Sequence, residues 1–106
     1  MKTIRHCTGA TYALTTSLTT TPTILIEGAA LGEVLVPTGS PITTLTYYAA
    51  LATGGTYIAA YDSAGSAVTQ TVAAARAYPI PAAVFGAATI KIVVNADGNV
   101  DICVKS

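Results

Sequence analysis

The sequence predicts an all-β protein: a single β-sandwich of about eight short antiparallel strands, of jelly-roll or immunoglobulin-like type. Three observations carry that prediction. Thr and other β-branched residues recur in short runs, Gly, Pro, Asn and Asp separate the runs, and inside them apolar and polar residues alternate with the period of two of a half-buried strand. A chain of 106 residues suits one domain with one core. Residues 1–20 read as an N-terminal arm or first strand, and 21–106 as the sandwich.

Taken in order, Tyr12 to Thr16 form a first strand and Thr23 to Glu27 a second, stopped by Gly28. Gly32 to Val36 make a third, ended by Pro37 and the turn Thr38-Gly39-Ser40-Pro41. From Thr43 to Leu51 the residues Leu45, Tyr47, Ala49 and Leu51 alternate with Thr44, Thr46, Tyr48 and Ala50, which predicts one apolar face and one of Thr with an aromatic. The pair Gly54-Gly55 suits a tight hairpin, Thr56 to Tyr61 return as a strand, Asp62-Ser63-Ala64-Gly65 turn again, and Ala67 to Val72 complete a meander. Ala73 to Ala77 read as a strand tail or extended crossover. Pro81 to Gly86 read as one helical turn, with Pro at the entry and Gly at the exit. Ile90, Ile92 and Val94 face inward on the next strand, Asn95 to Asn99 form a hairpin turn, and Val100, Ile102 and Val104 face inward on the last.

Composition excludes several classes of function. Charged residues make up 9% of the chain, and five Lys and Arg balance five Asp and Glu; a typical soluble chain carries about 25%. No basic field exists to release counterions from a phosphate backbone, so nucleic acid is not an expected partner. Prolines and glycines interrupt the long uncharged stretch from Val34 to Tyr61, leaving no apolar span of about 20 residues for a membrane. Basic residues at the start are not followed by an apolar segment, so no secretion signal is read and synthesis in the cytoplasm is expected. Cys7 and Cys103 lie near opposite ends; a bridge would tie the termini together, but cytosolic synthesis favours two reduced thiols.

No residue set supports catalysis or a cofactor. His6 and Cys7 are adjacent, and neighbours on a strand point to opposite faces. One His with two distant thiols makes a poor zinc site. Asn95 to Asp101 has part of the spacing of a calcium loop but lacks its bidentate Glu, and suits a plain turn between strands. Glu27 and Glu33 would have to meet across a hairpin for glycoside hydrolysis; solvated edge charges that discourage strand pairing account for them better. The chain is not expected to be an enzyme.

The tyrosines carry the remaining signal. Tyr47, Tyr57 and Tyr61 suit a packed face, and two of the three are expected in the core. Tyr48, beside Thr44, Thr46 and Ala50, and Tyr78, beside two prolines, suit a sugar-stacking surface or a protein interface. A Thr, Ala and Tyr face without charge lacks what keeps a monomer apart, which predicts that a neighbouring subunit covers it.

The runs VPTGSPITTLTYYAALATGGTYIAAYDSAGSAVTQTV and YPIPAAVFGAATIKIVVNADGNVDICVKS resemble, in layout and composition, the small β-sandwich virion proteins of tailed bacteriophages, in particular capsid decoration and head-associated proteins. The resemblance spans Ile24 to Ser106. It implies a virion location and a non-enzymatic role in gluing capsid subunits together, with the major capsid protein or other virion proteins as partners and a homo-oligomer, often a trimer at a symmetry axis. Tyr48, Thr44, Thr46 and Tyr78 are then the side chains expected at a subunit or capsid contact, with Met1 to Thr8 as an arm. The alternative is a carbohydrate-binding module for adhesion or host recognition, although such modules prefer coplanar platforms, often with Trp, and this chain has no Trp.

Overall fold

The computed structural model describes residues 8–52 and 55–105. These form two antiparallel sheets packed face to face, the β-sandwich that the strand pattern predicts. Nine strands are seen among the described residues: β1 (Thr8–Leu14), β2 (Ile24–Leu25), β3 (Leu31–Val36), β4 (Thr44–Ala50), β5 (Ile58–Ala59), β6 (Thr69–Thr71), β7 (Arg76–Pro79), β8 (Thr89–Val94) and β9 (Gly98–Lys105). The first sheet has the order β1-β9-β3-β7. The second runs β2-β8-β4-β5, with β6 also paired to β4.

Alternation decides which side of each strand enters the core. Val34 and Val36 of β3, Leu45 and Tyr47 of β4, Ile90, Ile92 and Val94 of β8, and Val100 and Ile102 of β9 are all buried in one cluster. Burying a side chain of this size stabilises the fold by about 1.5–3 kcal/mol relative to leaving it in water. Gly32 is needed where β3 meets β9: a Cβ there would lie 2.9 Å from the Cys103 carbonyl oxygen and 2.9 Å from Ile80 Cδ1. Pro81 precedes a single 3₁₀ turn, Ala82–Gly86, which buries Val84.

The connections differ from the expected ones. Asn95 to Asn99 do not close a hairpin, because β8 belongs to the second sheet and β9 to the first. The segment is an arch over the end of the sandwich. Asn95 Oδ1 accepts the Thr43 and Thr44 N–H groups at 2.9 and 3.0 Å, and Asp97 Oδ1 accepts the Thr16 N–H at 3.0 Å. These polar side chains are therefore occupied in fastening loops to the arch.

Nor do residues 43–72 form a meander. β5 and β6 share one edge of β4, end to end: Tyr48 and Ala49 pair with Ala59 and Ile58, while Thr44 to Thr46 pair with Thr71 to Thr69. Between them the chain leaves as a finger closed by the Tyr61–Ala67 bridge. Asp62 Oδ1 accepts the Ala64 and Ser66 N–H groups at its tip, and Gly65 supplies the positive φ of 83° that the turn requires. Of Tyr47, Tyr57 and Tyr61, two of which were expected in the core, Tyr61 is the one left in solvent, 61% exposed on this finger. Of the double-glycine turn, Thr53 and Gly54 lie outside the described residues.

Three further corrections follow from the same geometry. β1 starts at Thr8 rather than Tyr12 and pairs along its whole length with β9; of the expected arm, Met1 to Thr8, Thr8 opens this strand and Met1 to Cys7 lie outside the described residues. Arg76 to Pro79 form the edge strand β7, paired with β3, so the stretch Ala73 to Ala77, read as a strand tail or extended crossover, instead leads into a new strand at its end. Cys103 is disulfide-bonded, against the expectation of two reduced thiols. Thr8 sits opposite Val104, so pairing brings segments distant in sequence side by side; Cys7 itself lies outside the described residues.

Candidate functional site: an uncharged sheet face

The second sheet presents its outer face through alternate residues in register. Thr46 stands between Val93 and Thr69, Tyr48 between Lys91 and Ala59, and Thr44 beside Thr71. Among all strand residues of this sheet only Lys91 is charged. Its ammonium donates to the Leu18 carbonyl at 3.0 Å and lies 5.0 Å from the centre of the Tyr57 ring, so this charge is held against the protein. The face therefore offers hydroxyls, methyl groups and one phenol.

Its far end is covered from within. The Tyr57 hydroxyl bonds to Thr23 Oγ1 at 3.1 Å and Thr89 Oγ1 at 2.8 Å, which sets the ring across the outer face where Thr89 and Ala50 are buried. Beyond β4 the alternation ends at Ala50, and Leu51, expected inside, is 88% exposed. Leu51 and Ile58, which is 68% exposed, flank an apolar groove of about 430 Å³ that Ala49, Ala52, Gly55 and Ala87 also line. Leu25, 60% exposed, sits beside Thr89 on the same sheet.

The four side chains expected at an interface are thus divided. Thr44, Thr46 and Tyr48 are half-buried neighbours on this outer face. Tyr78 is not with them: it stands opposite Val34 on the inward side of the first sheet, packs against the core, and accepts the Ala73 N–H on its hydroxyl at 2.9 Å. Proximity to prolines suggested exposure, but Tyr78 shares the phase of buried Val34.

Sequence reasoning missed Gln70. Its side chain links the two sheets: the Tyr47 hydroxyl donates to Gln70 Oε1 at 2.6 Å, and Gln70 Nε2 donates to the Pro79 carbonyl at 2.7 Å. Tyr47 is fully buried, and burial pushes its phenol well above its ordinary pKa. The signal was present in the sequence, since Gln70 occupies the inward phase between buried Val68 and Val72, where a polar side chain must find a partner.

No group of three His, Cys, Asp or Glu able to hold a metal is found among the described residues. Glu27 follows β2 of the second sheet and Glu33 lies on β3 of the first. No helix among the described residues is long and apolar enough to cross a membrane. Compared with family models, curated proteins and solved structures, the chain matches none.

Proposed function

We propose that the chain is a structural virion protein, a decoration or cement subunit that stabilises a tailed-phage head by binding the assembled lattice. The observation that carries this reading is the second sheet's outer face: Thr44, Thr46, Tyr48, Thr69 and Thr71 share it with a single restrained strand cation, Lys91, and Leu25 stands in solvent at its end, while Leu51 and Ile58 are exposed at the neighbouring groove. Interface cores are depleted in charge and enriched in Tyr. A monomer in water gains nothing from exposing such a surface, whereas a subunit fitted against a neighbour buries it.

On this reading the chain resides in the virion, against the major capsid protein or another virion protein, and does no chemistry. Affinity for the closed lattice over free capsid subunits stabilises the shell by mass action, about 2.7 kcal/mol per site at a concentration near 100 times Kd. The resemblance in layout to decoration proteins supports the same role.

The test mixes the purified protein with tailed-phage capsids, either assembled or dissociated, and reads co-sedimentation together with the capsid disruption temperature. Binding to assembled heads alone, with a higher disruption temperature, is the expected result, and Thr69→Lys weakens it. Failure to bind heads, or glycan-array binding lost on Tyr48→Ala, would sink the shell reading.

A further inference from the structure

The open edges of the two sheets are not alike. β2 and β5 offer two residues each, and β6 three. β7 has four, begins with a charge at Arg76, ends in Pro79 with no N–H, and has the Pro79 carbonyl taken by Gln70. β1 is different. It runs seven residues, Thr-Gly-Ala-Thr-Tyr-Ala-Leu, in unbroken one-to-one register with β9 from Thr8 opposite Val104 to Leu14 opposite Gly98. Among the described strands β9 is its only partner. It contains no charge, no proline and no bulge, which are the devices that blunt an edge against pairing.

An edge of this kind leaves a row of backbone donors and acceptors that only another extended strand can satisfy along its length. We infer that the occupant is β1 of a second copy, paired antiparallel about a two-fold axis, so that the two four-stranded sheets become one of eight strands. Any strand paired antiparallel with its own copy is self-complementary. Overlap of all seven residues centres the axis on Thr11, which sets Thr11 opposite Thr11 of the second copy, Tyr12 opposite its Ala10 and Ala13 opposite its Gly9. On the inward side of the sheet the large Tyr12 then faces the small Ala10, and on the other side only Thr11, Ala13 and Gly9 meet, so nothing clashes across the seam.

Charge does not oppose this occupant, whose seam carries no formal charge of its own. The nearest ionisable side chain in register is Asp101 on β9, opposite Thr11, and the Thr11 hydroxyl donates to its carboxylate. Across the axis the two Asp101 side chains would be three strand spacings apart, roughly 14 Å. That exceeds the Debye length of about 8 Å at physiological salt. Behind the edge, a cleft of about 260 Å³ opens between β1 and β2, lined by Ala10, Tyr12, Ile24, Leu25 and Val104, and the second strand would extend its apolar wall. One strand pair covers less than the ~1,600 Å² of a standard interface, so the dimer forms reversibly with concentration.

The pairing does not depend on the shell reading: failure to bind a capsid leaves it standing, and failure to dimerise leaves capsid binding untouched. Sedimentation of the full chain across a concentration series, with amide hydrogen exchange of β1 at both ends of the series, tests it. The expected result is a monomer–dimer equilibrium in which alternate β1 amides gain protection as concentration rises. Thr11→Lys, which sets two ammonium groups opposite each other while each keeps Asp101 beside it, should weaken self-association by about ten-fold or more. Mixing it with Thr11→Glu should restore the dimer. A protein that stays monomeric to about 1 mM, β1 amides whose protection is independent of concentration, or a Thr11→Lys variant that folds and dimerises as wild type would each overturn the inference. The exchange measurement on wild type decides the matter even if the variants fold poorly.

Discussion

The two flanks of the sandwich solve the same problem in opposite ways. At the β6/β7 flank, Gln70 joins the buried Tyr47 hydroxyl of one sheet to the Pro79 carbonyl of the other, and the Tyr78 hydroxyl takes the Ala73 N–H. At the β1/β2 flank the link is confined to one end, where the buried Thr21 hydroxyl donates to the Ile92 carbonyl of β8 at 2.8 Å and accepts the Thr15 N–H just beyond β1 at 3.4 Å, and along the rest an apolar cleft opens behind a regular edge strand. The difference teaches that one flank is closed through β6 and β7 themselves, whereas the other is tied only at the Thr21 end and leaves the length of β1 open. A buried polar contact is costly to break because both partners lose solvation, whereas an open apolar flank loses only contact area when it is altered.

The sharpest way to break the comparison is at the closed flank. Gln70→Ala leaves the buried Tyr47 hydroxyl without its partner, while the exposed Pro79 carbonyl turns to water; with about 1–3 kcal/mol for one unsatisfied buried group and the lost packing of the Gln70 side chain, it should cost roughly 2–3 kcal/mol in denaturant unfolding. Tyr12→Ala at the open flank removes a half-buried ring but strands no polar group, so a smaller loss of about 1–2 kcal/mol is expected by the same measurement. If Tyr12→Ala proved the more damaging of the two, the flanks would not differ as described.

Alkaline titration sharpens the contrast further. Tyr47 has a folded-state pKa raised by burial above the unfolded value of about 10. Above that pH the unfolded chain releases a proton that the folded chain keeps, so the contribution is complete below pH ~10 and declines as pH rises. Tyr47→Phe should flatten that decline at the cost of one hydrogen bond, about 1 kcal/mol near neutrality; an unchanged alkaline limb would show that the phenol is not held as the geometry implies. The smallest effect on stability is expected on the second sheet's outer face, where Thr69→Lys at an exposed position should shift stability by no more than about 0.5 kcal/mol while weakening capsid association.

The sequence made the inward residues of β8 and β9 legible, because period-two alternation is local and Ile90, Ile92, Val94, Val100 and Ile102 obey it. It did not reveal that these strands belong to different sheets. An arch and a hairpin need similar lengths and similar Asn, Asp and Gly chemistry, and their difference lies in which distant strand accepts the next one. Leu51 was misread for a related reason: alternation was extended past Ala50, where pairing with β8 stops. The candidate face was legible where it follows β4, in Thr44, Thr46 and Tyr48. Tyr78 was not, because its orientation is fixed by register with Val34, some 40 residues away in the chain.

β9 stands between β1 and β3 and is the neighbour of both, although it comes after every other strand in chain order. As the polypeptide leaves the ribosome, β4, β5 and β6 can pair while the first sheet lacks β9 and β2 lacks β8, its only partner among the described strands, which precedes β9 by just three residues. Maturation of that sheet must therefore wait until β9 has emerged, and until then a nascent β1 would have both of its edges available to other chains on the same message.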